Sequence, residues 1–216
     1  MPPGRPRRLP DEVRPPFSWI GGALCLDFVN TVSWRAPGVL ENERFRGAAD
    51  LADWGVVARL HDEATALNEQ TVALAHELRH GLHELLLHTA RQELPSDDDV
   101  EWLNAWIRRC SDHVRVVPST RSASWTWVAD RAVPAFDPGL ALLGLVTLSA
   151  VDLLRSSDRS LLRVCANDRC GWLFVDRSRK HNRRWCEMRE CGGRAKARRY
   201  QSRRRAAPGE SMTPPE

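Results

Sequence analysis

A chain of 216 residues suffices for one ordinary domain with a small module attached, and with 42% hydrophobic residues it can bury a real core. No uninterrupted apolar run approaches the ~20 residues of a membrane span, and the arginine- and proline-rich start lacks the apolar stretch of a secretory leader, so a cytoplasmic protein without a membrane partner is expected. The net charge of +4 hides an asymmetry: Arg155 to Arg205 holds 17 Lys/Arg against five acids, a local +12, whereas Pro15 to Leu154 carries −8, which points to nucleic acid or another acidic partner for one face only.

In chain order, residues 1–16 carry six prolines and too few apolar groups to pack, and read as a disordered arm. After Gly21-Gly22, the recurrence of Leu24, Phe28 and Val32 predicts a helix. Residues 33–46 read as loop, and Ala48 to Leu60 as a helix with Leu51, Trp54 and Val57 on its apolar face. Asn68 is a candidate cap for a long helix to about Gln92, with a stripe of Leu74, Leu78, Leu82 and Leu85. Pro95-Ser96 opens another helix, with Asp97 to Asp99 well placed against its dipole. His113–Val117 and Ser124–Ala129 flank a turn-like STRS and predict a β-hairpin. Leu140 to Leu154 is apolar nearly all round, which predicts a helix at the centre of the body. Ser156–Asp158 forms a hinge, and 206–216 reads as a mobile tail. The fold class expected is therefore mainly α with a small β-hairpin (α+β) for a body of 17–155. A zinc-ribbon-like four-cysteine module of 160–205, ending in a basic helix, follows it.

That module holds Cys165-x4-Cys170 and Cys186-x4-Cys191. Two close pairs joined by a longer connection let two turns aim four sulfurs at one ion, the tetrahedral thiolate set that zinc prefers in structural sites. Metal is favoured over disulfides where no export signal is present. Four filled positions leave none for a reactive water, so one structural zinc is expected and no catalytic residue. Trp172 to Val175 reads as a strand, and Trp185 can cover the site. Arg177, Arg179, Lys180, Arg183 and Arg184 lie in a basic loop. Arg194, Lys196, Arg198, Arg199 and Arg203 lie on the helix beyond Gly192-Gly193, basic around most of its circumference, with little to bury and much to offer phosphate. These ten are the candidate nucleic-acid contacts.

The same stretch resembles the CGNR zinc finger: Gly171-Trp172-Leu173-Phe174-Val175-Asp176-Arg177-Ser178 after the first pair, then Arg184-Trp185-Cys186 and Cys191-Gly192-x-Arg194-x-Lys196. Gly193 departs from the asparagine of the family name, removing a side-chain amide that could cap the following helix. Upstream, Leu24-Cys25-Leu26-Asp27-Phe28-Val29-Asn30-Thr31 and Leu103-Asn104-Ala105-Trp106 resemble the ABATE domain that usually precedes this finger. The resemblance implies a stress-induced transcriptional regulator whose finger binds DNA. RNA or ribosome binding through the same surface stays open as an alternative.

Two further motifs stand outside that reading. His76-Glu77-x-x-His80 matches the H-E-x-x-H of zinc peptidases, but His76, His80 and His83 fall opposite the leucine stripe and are expected to face outward. Asp27, Asn30 and Thr31 are polar residues in an apolar segment. They are either local hydrogen-bonding groups with Arg44 or Arg46 near Asp27, or the lining of a small-molecule pocket. Cys25 and Cys110 are isolated, and burial explains them. The acidic body is expected to serve as a sensor or a homo-oligomerisation unit.

Overall fold

The computed structural model describes residues 17–35, 39–60, 66–119 and 124–206. The expected arm 1–16, the tail from 207 on and the turn 120–123 lie outside the described residues. The chain order is α1 (Leu24–Val29), β1 (Ser33–Arg35), β2 (Val39–Glu41), α2 (Ala48–Val57), α3 (Glu69–Ala90), α4 (Asp97–Cys110), β3 (Val114–Pro118), β4 (Trp125–Ala129) and α5 (Pro138–Arg155). The final third adds β5 (Leu162–Val164), β6 (Leu173–Val175) and α6 (Gly193–Ala206).

Local chemistry sets the helix starts. The Asn68 carboxamide accepts from the Thr71 amide at 2.9 Å, opening α3 where the cap was expected. Ser96 and Asp99 form a reciprocal capping box at α4, behind three acids in its first turn. Asp137 accepts from the amides of Gly139 (2.7 Å) and Leu140 (3.0 Å), with Pro138 in the first turn of α5. α5 is long and apolar enough, by length and composition, to cross a membrane, but ten of its residues are buried within the body and it serves as the core helix.

α5 packs against α1, α3, α4 and the β3–β4 hairpin. Cys25, Leu26, Phe28 and Val29 of α1 are fully buried beside it, as are Leu78 and Leu82 of α3. Phe28, Phe45 and Trp54 form an aromatic cluster with centroid separations of 5.2–5.9 Å, offset or edge-on as ring quadrupoles prefer. The long helices α3 and α4 approach closely at Gly81, where an added Cβ would lie 2.1 Å from the Trp102 ring.

Three two-stranded antiparallel pairs are present among the described residues, β1–β2, β3–β4 and β5–β6. The hairpin expected from the sequence is β3–β4, with Val116 opposite Trp127. The β1–β2 pair lies in a segment expected to be loop. It is three residues per strand, too short for alternation to be read, and Asn42 turns out of it at φ 59°. In β6 the pleat sends Leu173 and Val175 into the body's core and Phe174 to the cysteines. The body and the cysteine module therefore share one core: Leu162, Leu173 and Val175 pack with α1, α3 and α5 side chains.

Candidate metal centre and nucleic-acid interface

The two cysteine turns are built by backbone bonds that the intervening residues permit. Cys165 donates its amide to the Trp172 carbonyl (2.8 Å), Cys170 donates to Asn167 (2.9 Å), and Gly171 leaves the first turn at φ 65°, where a Cβ would be strained. The Ala166 amide bonds the Arg184 carbonyl at 2.8 Å, tying the first turn to the second. The result brings Cys165, Cys170, Cys186 and Cys191 together, each buried, with all four sulfurs within 4.8 Å of one another.

Cys186 Sγ lies 3.6 Å from both Cys170 Sγ and Cys191 Sγ. A tetrahedral ion with metal–sulfur arms of ~2.3 Å has edges of about 3.8 Å, so the donor set fits one zinc. The thiols interact strongly. Sulfhydryl bonds from Cys170 and Cys186 hold Cys165 far below the usual thiol value, while the neighbouring Cys165 sulfur pushes Cys170 and Cys186 up. A bound cation is what lets all four become thiolates together. The four sulfurs form the site of one structural zinc ion.

The basic loop is folded by one acid. Asp176 is fully buried; its carboxylate accepts from the amides of Ser178 (3.0 Å) and Arg183 (2.8 Å), and its carbonyl meets His181 Nδ1 at 2.9 Å. Burial opposes ionisation there, but those bonds hold the carboxyl below its ordinary value.

The ten candidate contacts divide by environment. Arg183 lies over the Phe174 ring at 4.4 Å and donates to the carbonyls of Trp185 (2.9 Å) and Cys186, so it braces the metal turn. Arg177 donates to Asp158 (3.1 Å) and to the Gly22 carbonyl (3.1 Å), latching the loop to the body. Arg198 donates to Asn167 (3.0 Å) and Asp168 (3.2 Å), and Arg184 covers the Trp185 ring at 5.5 Å. Arg179, Lys180, Arg194, Lys196 and Arg199 are exposed. The side chain of Arg203 lies outside the described residues. α6 is thus less uniformly basic in its role than its sequence suggests: Ala195 is buried, and with Arg198, Arg199 and Ser202 it lines a groove against Ala166 and Trp185.

Asn167 was missed by the sequence reading. It is 2% exposed, donates to Cys191 Sγ (3.3 Å) and accepts from Arg198, so it joins the metal site to α6. The available signal was an asparagine two residues into a tight turn, the position that Asx-turn chemistry favours. Gly193 needs a correction too. A helical turn of wider diameter, Met188–Gly192, precedes it, and its own backbone is already helical at φ −61°, so it is no cap position. A Cβ there would meet nothing nearer than 4.0 Å.

Asp27 of α1 and the two polar residues just beyond its end, Asn30 and Thr31, have internal partners. Asp27 accepts from the Gly21 amide at 2.8 Å, and Arg46 pairs instead with Asp50 at 3.3 Å. Thr31 donates to the Phe28 carbonyl (2.7 Å) and accepts from Arg79 (2.9 Å). Asn30 donates to the Leu173 carbonyl (2.8 Å) and accepts from the Leu173 amide (3.0 Å), pairing with β6 as a strand would. Arg79 is buried and reaches both oxygens of Glu43; burial raises the Glu43 pKa, but the arginine's bonds and charge hold it below the ordinary value.

The H-E-x-x-H pair makes no metal cluster: the cysteines are the one group of three or more His, Cys, Asp or Glu with converging ligand atoms among the described residues. His76 bonds the Phe45 carbonyl at 2.9 Å. His83, expected outside, is 5% exposed and contacts the Gly171 carbonyl at 3.4 Å, because the cysteine module covers that face of α3. Burial pushes the thiols of Cys25 to about 12 and Cys110 to about 11, so neither supplies thiolate at neutral pH.

Comparison with family models places residues 22–157 in ABATE, described as a putative stress-induced transcription regulator, and residues 161–204 in the CGNR zinc finger. Neither is an enzyme family. A search of curated proteins finds no match.

Proposed function

We propose, for a chain that belongs to the ABATE family and ends in a CGNR zinc finger, that it is a cytoplasmic transcription regulator whose finger binds duplex DNA. One observation carries the reading: Arg179, Lys180, Arg194, Lys196 and Arg199 stand in solvent on a scaffold that the metal site and Asp176 order. Zinc, when bound, supplies structural cross-linking of the two turns. Asp176 shapes the loop, Asn167 and Arg198 seat α6 on the first turn, and the exposed cations neutralise phosphates. The −8 of the body repels DNA and confines contact to the finger face. The protein acts by binding rather than catalysis, with the body as sensor or homo-oligomerisation unit.

The test is a salt series with the zinc-loaded chain on duplex DNA and on structured RNA. Neutralising about five phosphates makes log affinity fall with log salt at a slope of roughly −4.5. Cys165→Ser should lose metal and DNA together, and His76→Ala with His80→Ala should lose neither. Binding that ignores salt, or a preference for RNA, would overturn the reading.

A further inference from the structure

Asp27, Asn30 and Thr31 are committed to internal bonds, yet the body opens a cavity elsewhere. About 340 Å³ lie between the end of α2, the end of β4 and the first turns of α5, walled by Leu60, Ala129, Phe136, Ala141, Leu142 and Leu145. That volume falls in the range of small-molecule sites. The wall is held in place: Phe136 meets the His113 ring edge-on at 6.4 Å, and His113 Nδ1 accepts from the Asp137 amide at 3.2 Å.

Among the described residues Arg131 is the one charged residue on this lining, and it has no acidic partner there. The acids on either side of it are engaged elsewhere. Asp130 pairs with Arg115 at 3.7 Å and accepts from the Ala132 amide at 3.2 Å, and Asp137 caps α5. We propose that this cavity binds an apolar monocarboxylate, aliphatic or aryl. Its hydrocarbon part lies between Leu60 and α5, and its carboxylate sits on the Arg131 guanidinium.

The chemistry selects that class. A guanidinium matches the planar fork of a carboxylate, whereas a cationic ligand would be repelled. A neutral ligand of the same shape would cover Arg131 without returning the hydrogen bonds it loses. Among the described lining residues a polyanion has a single cation to meet, on a body of net −8.

The experiment uses the zinc-loaded full chain without DNA, so its outcome is independent of the nucleic-acid reading. Thermal melts are followed against hexanoate, octanoate, decanoate and phenylbutyrate, each beside its uncharged primary amide. The acids should raise Tm saturably, with the amides roughly tenfold weaker or more. Arg131→Gln, at an exposed position, should bring acid and amide to parity. Ala141→Phe should fill the cavity and abolish both responses with zinc content unchanged, and if that variant does not fold, Arg131→Gln decides alone. No saturable response from any acid, equal responses to acid and amide, or an acid preference that survives Arg131→Gln would overturn the proposal.

Discussion

Arg183 and Arg199 carry the same guanidinium, but the first lies over Phe174 with backbone carbonyls as partners and the second is exposed on α6. Charge-assisted hydrogen bonds contribute ~1.5–3 kcal/mol, and those of Arg183 are half-buried. Arg183→Ala should therefore lower the melting temperature and loosen zinc. Arg199→Ala should leave the melt alone and reduce the salt slope of DNA binding by about 0.9. Melts and binding isotherms of the two variants check this, and an unchanged Arg183→Ala melt would sink it. Asp27 gives a pH prediction. Burial raises its carboxyl from 3.8 to about 7, against the opposing bonds from the Gly21 and Ile20 backbone. The folded state thus holds a proton that the unfolded chain releases, so this residue's effect is a loss of stability as pH rises from about 4 through about 7. An asparagine in its place would keep an acceptor for the Gly21 amide without the charge. Asp27→Asn should be more stable than wild type at pH 8, by at most about 4 kcal/mol for a shift of this size, and the gain should vanish toward pH 4. Urea titrations at several pH values measure it; a constant difference across pH would refute the assignment.

At the scale of elements, the caps of α3 and α4 were legible because capping is local chemistry between residues three apart. The β1–β2 pair was not, since strands of three residues carry no periodicity. Nor was the contact of α3 with α4, which depends on a ring from one helix meeting a missing side chain on the other. Gly81→Ala would drive a methyl into Trp102. Overpacking of this kind typically costs about 1–3 kcal/mol, more than the helix gains from replacing glycine by alanine. Chemical denaturation should show a net loss of stability, and a stabilised variant would mean that the two helices can part at little cost.

For the whole molecule, the body and the finger behave as one structure. Trp172 Nε1 donates to the Val32 carbonyl (2.7 Å), the Val175 amide donates to Gly21 (2.8 Å), and Asn30 pairs with Leu173. Metal binding can contribute ~10–16 kcal/mol to the folding of a zinc finger by itself. Because Leu162, Leu173 and Val175 belong to the body's core, chelating the zinc should lower the melting temperature of the body as well. Calorimetry with and without chelator tests it: a body transition unmoved by metal removal would show that the two parts fold independently.

The sequence by itself determined the metal site, the starts of α2, α3 and α4, the hairpin and the charge asymmetry. Each rests on residues close in the chain or on a sum over a stretch: ligand spacing, a cap, an alternation, a count of charges. Tertiary structure alone decided which arginines are left for a partner, that His83 is covered, and that Asn30 pairs with β6. Those outcomes hang on pairs far apart in the chain, such as Asn30 with Leu173, and a hydrogen bond across that separation leaves no periodic trace in either segment. The Asp27 segment illustrates both: its polarity within an apolar run was plain from the residues, and only tertiary packing gave Asn30 its partner on β6 and Thr31 its partner on α3.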